Sequence, residues 1–437
     1  MKQRKIFFWS ITVALGGFLF GYDTAVISGS EQEIQQFWGL SDFLLGQTVA
    51  MALYGTILGA LLGGIPTQRL GRKRTLFGVA VLYLVSALGS ALAPEVYSLM
   101  FFRFIGGIGV GASSIVAPVY ITEISPKNNR GKLTGLFQFN IVFGILIAYF
   151  ANYIIGSLGG DWRLMLGMET VPALAFLFLL FSVPESPRWL IMTGRSEEQA
   201  RATLALVDSD NVDEIVQSVK NAPRTSSSFR LDFADRKLLL PLLMAFLFAF
   251  FNQLSGINAV IYYSPRIFTM TGMGKSIALL SSAGVGLINL IFTMLGLYLI
   301  DRAGRKRLMY IGSIGYIVSL AILAYSFFTE SFNPVIVLGS TFGFIASHAV
   351  GQGACIWVFI SEIFPDQSRA FGQSLGSTTH WVLAAGVSAL FPFFATNYGG
   401  GAVFSFFCFM MFFQLLFVSK MMPETKGLSI EEIQAKL

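Results

Sequence analysis

Charge is what this sequence has least of. Of its 437 residues 12% are charged and 54% are hydrophobic, whereas a soluble globular chain carries about 25% charged residues. Too few charges remain to cover a water-facing body of this size, so the composition excludes a soluble fold and implies an integral membrane protein. Histidine and cysteine are nearly absent, two of each: His348, His380, Cys355 and Cys408. That scarcity excludes a clustered metal centre or disulfide framework, and both cysteines fall in apolar runs, where each is a small apolar side chain. No metal or cofactor is expected, and no nucleophile with its base suggests an enzyme. A GxxxxGK[ST] string is missing, which excludes a nucleotide-driven pump of that class. No N-x-S/T acceptor occurs, which favours a bacterial inner membrane over a glycosylated eukaryotic plasma membrane.

Long apolar runs are what the chain has in abundance. Runs of the ~20 residues needed to cross a bilayer core lie at 6–28, 44–66, 75–93, 96–121, 132–156 and 163–183, then at 238–271, 276–300, 307–328, 334–361, 370–397 and 400–422. These predict an all-α protein of twelve transmembrane helices. The first run is too long for a cleaved signal and lacks a small-residue cleavage site. The predicted organisation is a six-helix half over 1–183, a linker over 184–236, a second half over 237–423 and a tail over 424–437. In the linker, Ser196 to Gln199 reads as a capping box opening a helix through Val207. A second short helix is expected at 212–220, a Ser-rich patch lies at 226–228, and Ser429 to Glu432 reads as another helix start.

Lys and Arg set the orientation. Of 30, Arg103 lies in a span and Arg163, Arg266 and Lys275 lie in loops on one side, while the other 26 sit in the termini and the opposite loops. Both termini are therefore expected to be cytoplasmic. The outer loops carry acids, among them Glu31, Glu33, Asp42, Glu95 and Asp161. The +6 net charge is dealt out loop by loop, as a topology signal and not a nucleic-acid footprint.

Two features point beyond architecture. Asp23 sits in GFLFGYDTAVISG inside the first span; a charge there costs roughly 2.5–3.5 kcal/mol on insertion scales and marks a functional residue by default. Its expected partner is Arg103, in FFRFIGGIGVG of the fourth span. The second feature is repetition. RLGRKR at 69–74 recurs as RAGRKR at 302–307, and YITEISPKNNRG at 120–131 recurs as FISEIFPDQSRA at 359–370. Two parallel six-helix halves follow, an arrangement that places substrate at the interface of the halves near the bilayer midplane. Arg69, Arg72, Glu123 and Arg130 in one half, Arg302, Arg305, Glu362 and Arg369 in the other, and Glu185 with Arg188 are expected to form ion pairs that pin cytoplasmic helix ends together.

With GYDTAVISG, R-x-G-R-K twice, paired E-x-x-P-x-x-x-R loops, PESPRWL at 184–190, QLSGINAVIYYSP at 253–265 and PETKG at 423–427, nearly the whole chain resembles the sugar porters of the major facilitator superfamily. The resemblance implies the major facilitator fold with short cytoplasmic helices, and uptake of a monosaccharide. A sugar offers hydroxyls and no charge, so neutral amides suit it, and Gln138, Gln253, Asn258 and Asn289 supply them. Trp357 and Trp381 can stack on a pyranose face, and the resemblance assigns Trp357 to the pocket wall. It also assigns Tyr262 and Tyr263 to closure of the outer side. Departures are Asn252, where the family usually has Gln; His380, where relatives commonly carry Asn or Gln; Gln68, where the superfamily often has Asp; and GQGACIW at 351–357 in place of GPxPxPW. Asn252 and His380 remain in the expected sugar site, and His380, with a reference pKa of ~6.5, could either titrate or act as a hydrogen-bonding residue.

Proton-coupled members resemble this chain in having an Asp at position 23 opposite an Arg. The expectation is symport of one proton with one sugar, a hexose, by a monomeric unit in the lipid bilayer. The alternatives are a passive uniporter, or a symporter of a pentose or polyol. A sugar sensor would be expected to carry a long tail, and a carrier of apolar drugs would lack the amides.

Overall fold

The computed structural model describes residues 2–126, 129–207, 211–221, 236–365, 368–428 and 432–433, and the side chain of Arg130 lies outside the described set. The Ser-rich patch at 226–228 and the helix start at Ser429 also lie outside the described residues. The α-helices among the described residues are α1 (Lys2–Trp38), α2 (Asp42–Leu62), α3 (Gly64–Arg69), α4 (Arg72–Ala91), α5 (Val96–Ile124), α6 (Arg130–Ser157), α7 (Trp162–Gly167), α8 (Thr170–Leu179), α9 (Pro187–Thr193), α10 (Glu197–Val207), α11 (Val212–Asn221), α12 (Arg236–Leu254), α13 (Ile257–Met270), α14 (Lys275–Ala303), α15 (Arg305–Phe328), α16 (Pro334–His348), α17 (Ala354–Glu362) and α18 (Arg369–Lys420). With neighbouring helices joined end to end, eleven segments among the described residues are long and apolar enough to cross a membrane.

The twelfth is folded into α18. Its 52 residues would run about 78 Å at 1.5 Å per residue, more than twice a hydrocarbon core of ~30 Å. The backbone breaks at Gly399 (φ 79°, ψ 158°), a conformation open to a residue without Cβ. This is the boundary expected between the runs 370–397 and 400–422.

Four spans are interrupted, the run at 44–66 among them, at Gly63 between α2 and α3. The run at 238–271 is cut where Gly256 takes φ 85° between α12 and α13, and it bends again at Tyr263 (φ −129°, ψ 18°), two residues before Pro265. Pro265 has no N–H to return to the preceding turn, so the helix opens there. The run at 334–361 passes through a π-helical turn at Ala349–Gly353, the segment where the resembling motif has its first proline. The backbone there stays helical while changing pitch, a milder break than proline imposes. In the run at 163–183, α7 ends and α8 begins around Glu169.

Linker helix α9 starts with Ser186 Oγ accepting from the Trp189 N–H at 3.2 Å and with Pro at its first turn, and it stops at Gly194 (φ 67°). The expected α10 and α11 follow, packed with α9 around Trp189, Leu190, Ile191, Ala200, Leu204 and Val216.

Two compact units emerge. The first holds Met1–Ser30, Met51–Ala151 and Gly160–Ser227; the second holds Glu31–Ala50, Asn152–Gly159 and Ser228–Leu437. Thus the last turns of α1, the first of α2 and the end of α6 group with the second half of the chain.

Within the first unit, α2 and α5 meet through glycine. A Cβ on Gly107 would lie 1.9 Å from the Ala52 carbonyl oxygen and one on Gly111 2.3 Å from that of Thr56, while one on Gly55 would lie 2.1 Å from that of Phe104. Small residues at such spacing let helix backbones touch where no hydrophobic effect drives association. This contact sets the position of α5, and with it Arg103. Gly107→Val should force the helices apart and destabilise the protein by about 1–3 kcal/mol, read as a lowered Tm in detergent; an unchanged Tm would show that α5 is held by other contacts.

Candidate functional site

The first unit contains an ionic cluster cut off from water. Asp23 in α1 and Arg103 in α5 are 2% and 1% exposed. Arg103 Nη1 donates to Asp23 Oδ1 at 2.7 Å, and both Nη atoms lie 3.4 Å from the Asp23 carbonyl oxygen. Gly106 makes room: a Cβ there would meet Ser86 Oγ at 2.3 Å and approach Asp23 Oδ1 at 3.7 Å. The pair is the one expected from the sequence.

A third member was not anticipated. Glu169, 2% exposed at the start of α8, interacts electrostatically with both Asp23 and Arg103, and its Oε1 has no hydrogen-bond partner among the described residues. The signal that singled out Asp23, a carboxylate inside an apolar run, applies equally to Glu169 in 163–183. Two carboxylates and one guanidinium carry a net negative charge that a single bound proton cancels. An uncompensated charge in such surroundings costs several kcal/mol.

The repeated strings build two near-copies of one joint. In the first unit Arg72 Nε and Nη2 donate to Glu123 at 2.9 and 2.7 Å. Glu185 accepts from the Arg72 and Lys73 N–H groups at 3.0 Å each, capping α4, and Ser186 Oγ donates to Glu123 at 2.6 Å. In the second unit Arg305 holds Glu362 at 3.2 and 2.8 Å, Glu424 accepts from the Arg305 and Lys306 N–H groups at 2.9 and 3.0 Å, and Thr425 Oγ1 donates to Glu362 at 2.6 Å. The Pro-Glu-Ser of PESPRWL and the Pro-Glu-Thr of PETKG are therefore the same device: Glu caps a helix N-terminus and the hydroxyl buttresses the paired Glu. Glu424, Ser186 and Thr425 were missed because the two strings, read separately, show only two letters in common.

Of the other expected members, Arg188 lines a cavity with Glu123 and Arg369 lines another with Glu362. Arg69, Arg188 and Arg302 are exposed; Arg302 stacks on Tyr298 with its guanidinium carbon 4.0 Å from the ring centre. Arg369, half-buried, follows Glu362 in the chain.

The second unit gathers neutral groups. Asn252 and Gln253 at the end of α12 are 2% and 1% exposed, and Asn258 is half-buried. Gln253 Nε2 donates to Asn252 Oδ1 at 2.8 Å and lies 3.0 Å from His380 Nδ1, while Asn258 Nδ2 donates to Gln253 Oε1 at 2.7 Å. The left-handed turn at Gly256 brings Asn258 back onto Gln253 across five positions. Rings surround the amides: Trp357 and His380 have centroids 5.2 Å apart, and His380 meets Trp381 edge-on at 4.8 Å. Trp357 is 38% exposed and Trp381 8%, so Trp357 keeps a face available for stacking. Asn289 in α14 is buried and accepts from Thr293 Oγ1 at 3.3 Å; Gln138 in α6, in the first unit, is half-buried. Tyr262 and Tyr263 are fully buried, and Tyr263 donates to the Ser388 carbonyl at 2.8 Å and stacks on Phe391 at 5.0 Å.

A model of the family described as Sugar (and other) transporter matches residues 9–437. The chain belongs to the sugar porters of the major facilitator superfamily. It is 35% identical to the D-xylose-proton symporter of Escherichia coli K12, over 99% of this chain and 96% of the relative. It is also 35% identical to the glucose transporter GlcP of Staphylococcus epidermidis, over 100% of this chain and 98% of the relative. Its fold is similar to the inward open conformation of the xylose transporter XylE from E. coli, with a TM-score of 0.87, 35% identity and 99% of both chains covered.

This sugar porter carries one more buried ion pair. Arg266 in α13 donates to Glu31 Oε2 from Nη2 at 2.5 Å and from Nε at 3.0 Å, and to Gln35 Oε1 at 2.6 Å. Gln35 in turn donates to Asp42 Oδ1 at 2.8 Å, and Lys275 pairs with Glu33. Sequence analysis placed Glu31 and Arg266 in outer loops as topology signals; both lie in helices, Glu31 with no exposure. This correction explains why the end of α1 groups with the second unit. α1 runs ten residues past its apolar run because its charged last turns have partners on α13. Arg266→Ala should cost about 3–5 kcal/mol by leaving Glu31 buried and unpaired, whereas Glu31→Met with Arg266→Met should recover most of that loss. A double-mutant cycle on Tm checks it; additive losses would refute the coupling.

Proposed function

We propose that this sugar porter moves a monosaccharide and a proton together into the cell by alternating access. The observation that carries the reading is the buried Asp23–Arg103 pair with Glu169 beside it. A carrier that only bound a neutral sugar has no need of three ionisable groups buried together, and proton relays in transport proteins are built from such groups. Binding of a proton to the cluster releases Arg103 from full pairing and cancels the excess charge, which lowers the cost of rearranging α1 against α5. The E. coli relative, a D-xylose-proton symporter, supports the coupling.

The neutral amides of the second unit, with Trp357 and His380, suit a sugar. Amides both donate and accept, as vicinal hydroxyls require, and an indole face accepts the apolar side of a pyranose. The sequence favours a hexose; one relative named above is a D-xylose-proton symporter and the other a glucose transporter, so both sugars belong in the test. The two Arg–Glu joints, with their capping Glu185 and Glu424, are the bistable parts of the cycle. Tyr262 and Tyr263 close the outer side. The side with clustered Lys and Arg faces the cytoplasm, with both termini, in a bacterial inner membrane. No bond is made or broken in the sugar, and a single chain is the working unit.

Uptake of labelled D-glucose and D-xylose into proteoliposomes, with and without an inward proton gradient, tests this reading. The native carrier should concentrate one of the two above the outside level only with the gradient, and Asp23→Asn should lower that accumulation at least tenfold while sugar exchange survives. Equilibration without accumulation in the native protein would make it a passive uniporter and leave Asp23 a structural partner of Arg103.

A further inference from the structure

Beyond Gln253 the amide row continues into the core. Asn252 Nδ2 donates to Gln352 Oε1 at 3.2 Å, Gln352 Nε2 to Gln414 Oε1 at 2.7 Å, and Gln414 Nε2 to Ser313 Oγ at 2.8 Å. Ser313 Oγ then donates to the Met309 carbonyl at 2.7 Å. Gln352, Gln414 and Ser313 have no exposure. Four buried amide and hydroxyl groups between α12, the π-helical turn, α18 and α15 are thus joined head to tail, each donating in the same sense.

We infer that Gln352 and Gln414 are positioning residues that set which sugar the carrier prefers, by dictating whether each amide at the site offers its oxygen or its nitrogen. The inference rests on the sugar-transport reading above. A carbonyl only accepts, so Ser313 spends its single proton on Met309 and must accept from Gln414. Gln414 then has only its oxygen left for Gln352, Gln352 only its oxygen for Asn252, and Asn252 only its oxygen for Gln253. At the outer end Gln253 Oε1 takes the proton of Asn258 Nδ2, which leaves the oxygen of half-buried Asn258 as an acceptor. The other Gln253 proton meets the His380 ring at 3.0–3.2 Å, so the nitrogen it meets must be the unprotonated one. A single amide turned over would face N–H to N–H or oxygen to oxygen in a buried site, and the unsatisfied groups make that costly. Head-to-tail chains also polarise one another and so resist reversal.

Two departures noted separately in the sequence become one feature here. Asn252 is a methylene shorter than the usual Gln, and Gln352 replaces a proline that has no amide to offer. The shortened side chain reaches inward to Gln352, with both its oxygen and its nitrogen engaged inside the protein, so Asn252 acts through Gln253 and not on the sugar itself.

Sugar dissociation constants of the purified full-length carrier for D-xylose, D-glucose, D-galactose and L-arabinose, from tryptophan fluorescence, test the inference in native protein, Gln414→Met and Gln352→Met. Each variant should weaken the preferred sugar about tenfold and compress the ratio between preferred and disfavoured sugars to within about threefold, while the pH dependence of binding stays unchanged. A merely structural role would lower Tm and leave the ratios where they were, and that result overturns the inference alone. Native protein that binds none of the four would overturn the sugar reading and the inference with it. Should either methionine variant fail to fold, Ser313→Ala, which removes only the terminal acceptor, is read by the same ratio.

Discussion

A guanidinium keeps its charge at any physiological pH, so an arginine placed inside an apolar bundle dictates its surroundings. Arg103, Arg72, Arg305 and Arg266 each hold a carboxylate, and much of the architecture follows from seating these four pairs. The glycine face of α5 brings Arg103 within reach of Asp23. The Pro-Glu-Ser and Pro-Glu-Thr turns return to the start of α4 and of α15 to cap them and to support the carboxylates that Arg72 and Arg305 hold. The last turns of α1 stay helical far beyond their apolar run because Arg266 waits for Glu31. Since removing one partner of a buried pair costs more than the pair itself contributes, such pairs dictate which helices are neighbours more firmly than they add stability.

How much of this was legible depended on whether the signal was periodic, repeated or spatial. Spans are legible because a bilayer demands ~20 apolar residues; even the break at Gly399 falls between 397 and 400, where the runs were divided. The Asp23–Arg103 pair was legible because each was the charge out of place in its own run. Glu169 carried the same signal and was overlooked. Glu31 and Arg266 were read as loop charges because hydropathy ends a span at the first cluster of polar residues, and only the fold reveals that the helix continues with its charges paired. Gln352 was visible as a missing proline, but its partner Gln414 is 62 residues away on a helix with no motif. Hydrogen bonds between distant amides leave no spacing rule to read.

The arrangement also divides the chemistry. The fully buried cluster of Asp23, Arg103 and Glu169 belongs to the first unit, and the neutral relay lies wholly in the second. On the symport proposed above, protonation and sugar binding must each favour the same conformation over the other, and the coupling is reciprocal in free energy. Under that scheme the two ligands need only bias one shared equilibrium, and a factor of 100 in differential affinity corresponds to about 2.7 kcal/mol. The relay narrows what the second unit can recognise, because its polarity is anchored on a backbone carbonyl that cannot be reversed. On the symport proposed above, the ionic cluster alternates between two states that differ by one proton, while the relay keeps a fixed donor pattern for the sugar.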